Sequence, residues 1–135
     1  QPVIAAIHPS FGALAGGKTD DAALARFAKA RRTVAGLTGE RDLVCDASRL
    51  AAISNGHPLM ARVTATGCAA SALVGATLAV EPDAWKAVAA ALIMIGVAGE
   101  IAAARARGPG SFAMEILDAV YALDRATLIA RAKVN

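Results

Sequence analysis

From Ala87 to Gly99 the chain carries no charged residue, over more than three helical turns. A helix that is apolar all round has no solvated face, so other elements must bury it on every side. That requirement limits the fold more than any other feature. Either strands and helices from the same chain wrap this segment, or apolar surface is left for association.

The rest of the sequence suits a packed interior. Its 135 residues fit one domain, long enough to bury a real core. With 56% hydrophobic residues but only 4% aromatics, the interior is built from Ala, Val, Leu and Ile, which excludes intrinsic disorder. A net charge of +3 is modest, and the densest basic group (Arg26, Lys29, Arg31 and Arg32) reads as a solvated helix end, where cations suit the helix dipole. It lacks the broad basic face and aromatic elements of a nucleic-acid binder. Cys45 and Cys68 form neither a disulfide framework nor a metal-ligand spacing. No basic region followed by an apolar run opens the sequence as in a signal peptide, and the uncharged run 87–99 is short for a bilayer span. A reducing, cytoplasmic setting is the expectation.

Val3-Ile4-Ala5-Ala6-Ile7 reads as a buried strand, followed by a short helix over Phe11 to Ala15 that ends at Gly16-Gly17. Thr19 or Asp20 caps the next helix, which runs to about Arg32. A strand is expected over Thr33 to Thr38, another over Asp42 to Cys45, and Arg49 to Ile53 as hairpin partner across an Asp46-Ala47-Ser48 turn. After the turn Asn55-Gly56-His57-Pro58, helices are predicted from Thr66 or Gly67 to about Ala79, and then with Pro82 in the first turn. Two more follow, one capped by Ser111 and running through Leu123, one capped by Asp124. Two or three buried strands cannot complete a doubly wound sheet around so many apolar helices. The sheet is expected to be partial, and the chain to aggregate, to oligomerise through these helices, or to need an N-terminal half to be soluble.

The constellation with most chemistry is Asn55-Gly56-His57-Pro58-Leu59-Met60 followed by Thr64-Ala65-Thr66-Gly67-Cys68-Ala69-Ala70-Ser71. A turn of small residues opens directly into a helix. Free first-turn N–H groups and the helix dipole make such a mouth an anion site, able to stabilise a phosphoryl group in transfer. Small residues that only allow close packing would look the same. Elsewhere plainer readings suffice. His57 and His8 precede prolines in turns, Cys45 is a small strand residue, Met60 and Met94 fill the core, and Glu100 is read as a solvated face residue in preference to a helix-pair contact.

Four motifs in order carry a family resemblance from Thr38 to about Leu123. They are Thr38-Gly39-Glu40-Arg41-Asp42, the Asn55 to Cys68 run, Gly108-Pro109-Gly110-Ser111-Phe112 and Leu117-Asp118-Ala119-Val120-Tyr121. Together they resemble the hydroxyethylthiazole kinases, with their T-G-E-x-D, N-G-x-P-L-M…G-T-G-C, G-P-G-S-F and L-D-A-L-Y segments. The resemblance implies a ribokinase-like three-layer α/β fold, here a partial sheet plus C-terminal helices, with residues 1–135 as the C-terminal portion of one domain. It further implies a transferase that phosphorylates the hydroxyl of 4-methyl-5-(2-hydroxyethyl)thiazole with MgATP in thiamine biosynthesis or salvage, in a cytoplasmic homotrimer with shared active sites. On that resemblance Thr38 contacts ATP, Ala65 lines the substrate site, Gly67 helps form the anion hole, and Cys68 stands at the catalytic-base position.

The departures are as specific as the matches. Where the family carries an ATP-binding arginine, an asparagine and a metal-binding glutamate, this sequence has Ala5, Ile7 and Ser10. Ala65 replaces the first glycine of G-T-G-C. An active kinase segment and a degenerate, non-catalytic homologue that keeps the scaffold and subunit contacts are therefore both open at this point.

Overall fold

The computed structural model describes residues 21–64 and 66–135. The strand expected at 3–7, the helix at 11–15, the cap at Thr19 or Asp20, and Ala65 lie outside the described residues.

Helix α1 (Asp21–Arg31) has an acid in its first turn and Lys29 and Arg31 in its last, both favourable to the dipole. It stops because Arg32 turns left-handed at φ 49°, letting the Thr33 amide reach back to the Ala28 carbonyl (3.1 Å). Glycine is the usual residue for that helix-ending motif, so an arginine there stores a little strain.

Strands β1 (Ala35–Leu37), β2 (Asp42–Cys45) and β3 (Leu50–Ile53) form an antiparallel meander in that order, with Leu37 opposite Leu43 and Val44 opposite Ala51. The Asp46 carboxylate accepts the Ser48 and Arg49 amides (2.8 and 2.7 Å), which closes the β2–β3 turn where the sequence places it. Alternation splits the sheet into two faces. Ala35, Leu43, Cys45 and Ala52 pack with Leu24 and Ala28 of α1, while Val44 and Ile53 face the helical core. Residues 133–135 add backbone bonds along the free edge of β3, Asn135 exchanging two with Ala52, and so shield that edge. Nothing in the hydrophobic pattern announces this pairing.

Helices α2 (Thr66–Leu78), α3 (Ala84–Arg105), α4 (Pro109–Ala122) and α5 (Arg125–Arg131) follow. Three boundaries differ from expectation. Pro82 lies before the helix, whose cap is Asp83, accepting the Trp85 and Lys86 amides. Helix α4 begins at Pro109 with Gly108 as its cap, and ends one residue before Leu123. Ser111 is not that cap: its hydroxyl donates to the Gly108 carbonyl and accepts the Arg107 amide, bracing the turn from inside the helix. Asp124 caps α5 through the Thr127 amide at 2.7 Å, as expected.

Helix α3 is the centre. The sheet lies on one side and α2, α4 and the turn Pro58–Arg62 surround the rest, giving α1, sheet and helices as successive layers. With 22 residues it is long and apolar enough to cross a membrane by length and composition, contrary to the reading from the uncharged run alone. Its burial against the sheet and helices marks it as a core helix instead. The chain also covers α3 better than its strand number suggested. Among the exposed apolar side chains, Met114, Leu117 and Tyr121 share one outward face of α4.

Two glycines notch α3. A Cβ on Gly96 would lie 2.7 Å from the Asn55 Cβ and 3.0 Å from its carbonyl carbon and oxygen. One on Gly99 would lie 2.5 Å from the Met60 sulfur. The turn that leads into α2 therefore rests directly on the α3 backbone. Gly96→Ala is expected to cost about 2 kcal/mol of stability, since overpacking against backbone outweighs a helix-propensity gain of about 1 kcal/mol. Gly99→Ala should cost less, because a methionine side chain can swing aside. Urea denaturation of the two variants checks the order, and an equal or reversed cost would contradict it.

Candidate functional site

A cleft lies between the end of β1 and the start of α2. Gly36 and Thr38, two residues apart and so on one face, meet Gly67, Ala70, Ser71 and Val74 of α2 over a floor of Val88 and Leu92 from α3. Gly36 has to be small: a Cβ there would press on Val88 at 3.2 Å. Gly67 is exposed, and among the described residues nothing lies within 4 Å of an added Cβ, so they leave the mouth of α2 open. Two residues singled out in distant motifs, Thr38 and Gly67, thus line one cleft. Cys68 is exposed in the first turn of α2 beside Gly67 and is not among the lining residues, and Ala65 lies outside the described ones.

The mouth is held from behind. The Thr66 hydroxyl donates to the carbonyls of Met60 (3.0 Å) and Val63 (2.9 Å), so it fastens the helix to the preceding turn. Ser71 is turned inward on its own helix, donating to the Gly67 carbonyl at 3.0 Å. The exposed His57 accepts the Leu59 amide at Nδ1 (3.2 Å), which makes it the turn residue its context suggested.

Glu100 is not a solvated residue, and here the expectation fails. Its Oε1 accepts from Asn55 Nδ2 (3.1 Å), the Gly56 amide (3.2 Å) and Lys133 Nζ (2.8 Å). Asn55 is buried and also donates to the Arg131 carbonyl (2.9 Å) while accepting the Lys133 amide (2.7 Å). Burial alone would raise the Glu100 pKa, but the Lys133, Asn55 and Gly56 donors outweigh it and hold the group below its ordinary value. A signal was present: Glu100 lies one turn after Gly96, hence on the notched face.

A second clamp anchors the start of α3 to the sheet. Arg49 bridges Asp46 and Asp83 (2.6 Å to each) and lies 4.9 Å above the Trp85 ring, whose Nε1 donates to the Val44 carbonyl. Its hydrogen bonds hold Asp83 down at about 2. Cys45 is fully buried and its thiol is pushed up to about 11, first by burial and then by Asp46, so it is an inert strand residue as read.

Asp42 behaves oppositely to Glu100. It lies buried at the base of the Thr38–Arg41 turn, its Oδ1 accepting the Gly39 amide at 2.9 Å. Burial pushes its pKa up to about 6 against the opposing pull of that amide. Between pH 4 and 6 the folded chain thus binds a proton that the unfolded chain has lost, and this group's contribution to stability falls as pH rises through that window. The cost above pH 6 is on the order of 3 kcal/mol at most. Asp42→Asn, which keeps an acceptor without the charge, is expected to be at least as stable as the parent at pH 7.5 and to remove that slope. Thermal melts of both chains from pH 4 to 8 test it, and an unchanged slope in the variant would refute the assignment.

Comparison with known proteins places the chain in a family. Residues 13–126 match the hydroxyethylthiazole kinase family. A hydroxyethylthiazole kinase of Granulibacter bethesdensis is 56% identical over 101 residues, covering 73% of this chain and 37% of its own length. One from Leptothrix cholodnii is 44% identical over 124 residues, covering 87% and 45%. The solved hydroxyethylthiazole kinase protein of Pyrococcus horikoshii OT3 superposes with a TM-score of 0.84 at 36% identity, over 92% of this chain and 48% of that one. The chain spans less than half the length of these relatives. With a matching family model over most of its residues and an α/β architecture shared with a solved member, the chain belongs to the hydroxyethylthiazole kinase family.

Proposed function

We propose that this segment supplies the phosphate-holding side of a kinase site that transfers the γ-phosphoryl group of ATP to the hydroxyl of 4-methyl-5-(2-hydroxyethyl)thiazole, a step of thiamine biosynthesis or salvage. The observation that carries the reading is the meeting of Thr38 and Gly67 across one cleft at an open helix mouth. Thr38 binds the nucleotide, Gly67 offers a backbone amide to the phosphoryl oxygens, and Ala65 lines the alcohol site. Cys68, one residue beyond Gly67, is the group closest in sequence to take the hydroxyl proton. An apolar floor strengthens such polar contacts by excluding water. The working form is a cytoplasmic homotrimer with sites completed across subunits.

The open mouth and cleft suit the phosphates of ATP. Mg²⁺ is less well served: among the described residues no three His, Cys, Asp or Glu side chains gather to hold an ion. The family's metal-binding glutamate position is Ser10 here. No step is therefore assigned to a metal held by these residues. The same departures, Ala5, Ile7 and Ser10, favour a second reading, a homologue that keeps the scaffold and has lost catalysis.

Two measurements test these readings. Gly67→Ala meets no neighbour, so its melting temperature should be unchanged or slightly higher, while its methyl group crowds the mouth and weakens MgATP binding about tenfold. Unchanged affinity would remove Gly67 from the site. In a coupled assay with MgATP and the thiazole, turnover by the 135-residue chain is expected far below the roughly 1–100 s⁻¹ ordinary for kinases. Turnover within that range would exclude the degenerate reading.

A further inference from the structure

The turn Thr38–Arg41 carries a cleft residue, yet it links two short strands and is exposed from Thr38 to Arg41. Two contacts restrain it. On the outside Arg41 pairs with Asp21 of α1 at 3.0 Å to both carboxylate oxygens, with both side chains well exposed. Such pairs contribute little in water. On the inside Asp42 Oδ1 accepts the Gly39 amide at 2.9 Å, and Asp42 is buried. A short bond from a buried carboxylate is the stronger of the two.

A buried carboxylate with no cation partner among the described residues is an expensive way to end a turn. Asp42 begins β2, opposite Ile53, and has the same strand parity as Val44, which packs in the helical core. Its pKa reflects burial and the opposing Gly39 amide. An apolar side chain would suit its burial better and would leave only the Gly39 amide without its partner. The carboxylate therefore contributes geometry to the turn at the expense of stability.

We propose that Asp42 is a positioning residue for nucleotide binding: its buried carboxylate fixes the Gly39 amide, and through it the turn that presents Thr38 to the Gly67 mouth. Thr38 precedes the anchored amide directly, so the peptide that carries Thr38's carbonyl is the one Asp42 holds. This rests on the reading of Thr38 as a nucleotide contact. A role in stability alone predicts that affinity follows the melting temperature. A positioning role predicts that the two separate.

The test uses the 135-residue chain and three variants. Asp42→Asn keeps an acceptor, Asp42→Leu is apolar and of similar size, and Arg41→Gln removes only the outer pair. For each, the Gly39 amide proton shift, the melting temperature and MgATP affinity are measured at pH 7.5. Expected for Asp42→Leu is an equal or higher melting temperature, an upfield Gly39 amide and about tenfold weaker MgATP binding, the loss of one charge-assisted bond. Asp42→Asn should restore affinity to within about threefold, and Arg41→Gln should leave it unchanged. Affinity in Asp42→Leu equal to the parent, or a Gly39 amide that does not respond, overturns the proposal. An Asp42→Leu chain that fails to fold leaves the decision to Asp42→Asn, whose Gly39 shift and affinity must both stay near parental values. Failure of the parent chain to bind MgATP at all sinks the nucleotide reading of Thr38 and the positioning role with it. That outcome differs from a parent that binds and a variant that binds equally well.

Discussion

Helix α3 has to be enclosed, and the remaining elements are arranged to enclose it. Its buried side chains run from Ala87 to Ala102 and touch the sheet on one side and α2 and α4 on the others. Small residues make this possible: an alanine- and glycine-rich helix is narrow, so several neighbours approach its axis closely. Because the meander on one side and α2 on the other are both referenced to α3, the gap between them is fixed. That gap is the cleft. A wider helix would push Gly36 away from Val88 and open it.

Two carboxylates, the partly buried Glu100 and the buried Asp42, show how acidic side chains serve different ends. Glu100 has three donors and gains by being charged, tying the C-terminal segment to the Asn55 turn. Asp42 has one donor among the described residues and is harder to keep charged. The first arrangement secures the scaffold, while the second sits beside the cleft and spends stability on backbone geometry. Such local costs are common where geometry matters more than strength.

The strand-and-helix order was largely readable because it follows local rules. Period-two and period-3.6 patterns placed β1 to β3 and the four later helices, and cap residues such as Asp124 marked ends well. The failures have long-range causes. Ser111 has the right chemistry for a cap, but Pro109 can occupy a first helical turn and shifts the start upstream. Glu100 looks solvated on a local view, and its partners lie at Asn55, Gly56 and Lys133, far away in sequence. The backbone pairing of residues 133–135 with β3 carries no side-chain pattern at all. For the site, the motifs gave Thr38 and Gly67 separately, but only the fold brings them to one cleft. Asp42 reads as the first residue of a strand, and no pattern in the sequence shows its carboxylate turning back to the Gly39 amide.

The Asn55-Gly56 pair has a bearing on how the protein ages. Asparagine before glycine is the dipeptide most open to succinimide formation, in which the following backbone nitrogen attacks the side-chain carbonyl and ammonia is lost. In the folded chain that nitrogen is engaged by Glu100, and the Asn55 amide is held by Glu100 and the Arg131 carbonyl, so neither partner is free to react. Once unfolded, the chain loses this protection. Conversion to aspartate would then place a second carboxylate against Glu100 and remove the donor to Arg131, so the damaged chain could not rebuild the same junction. Unfolding thus carries a chemical memory at this one peptide bond, and the lifetime of the molecule depends on how rarely its C-terminal segment lets go of the Asn55 turn.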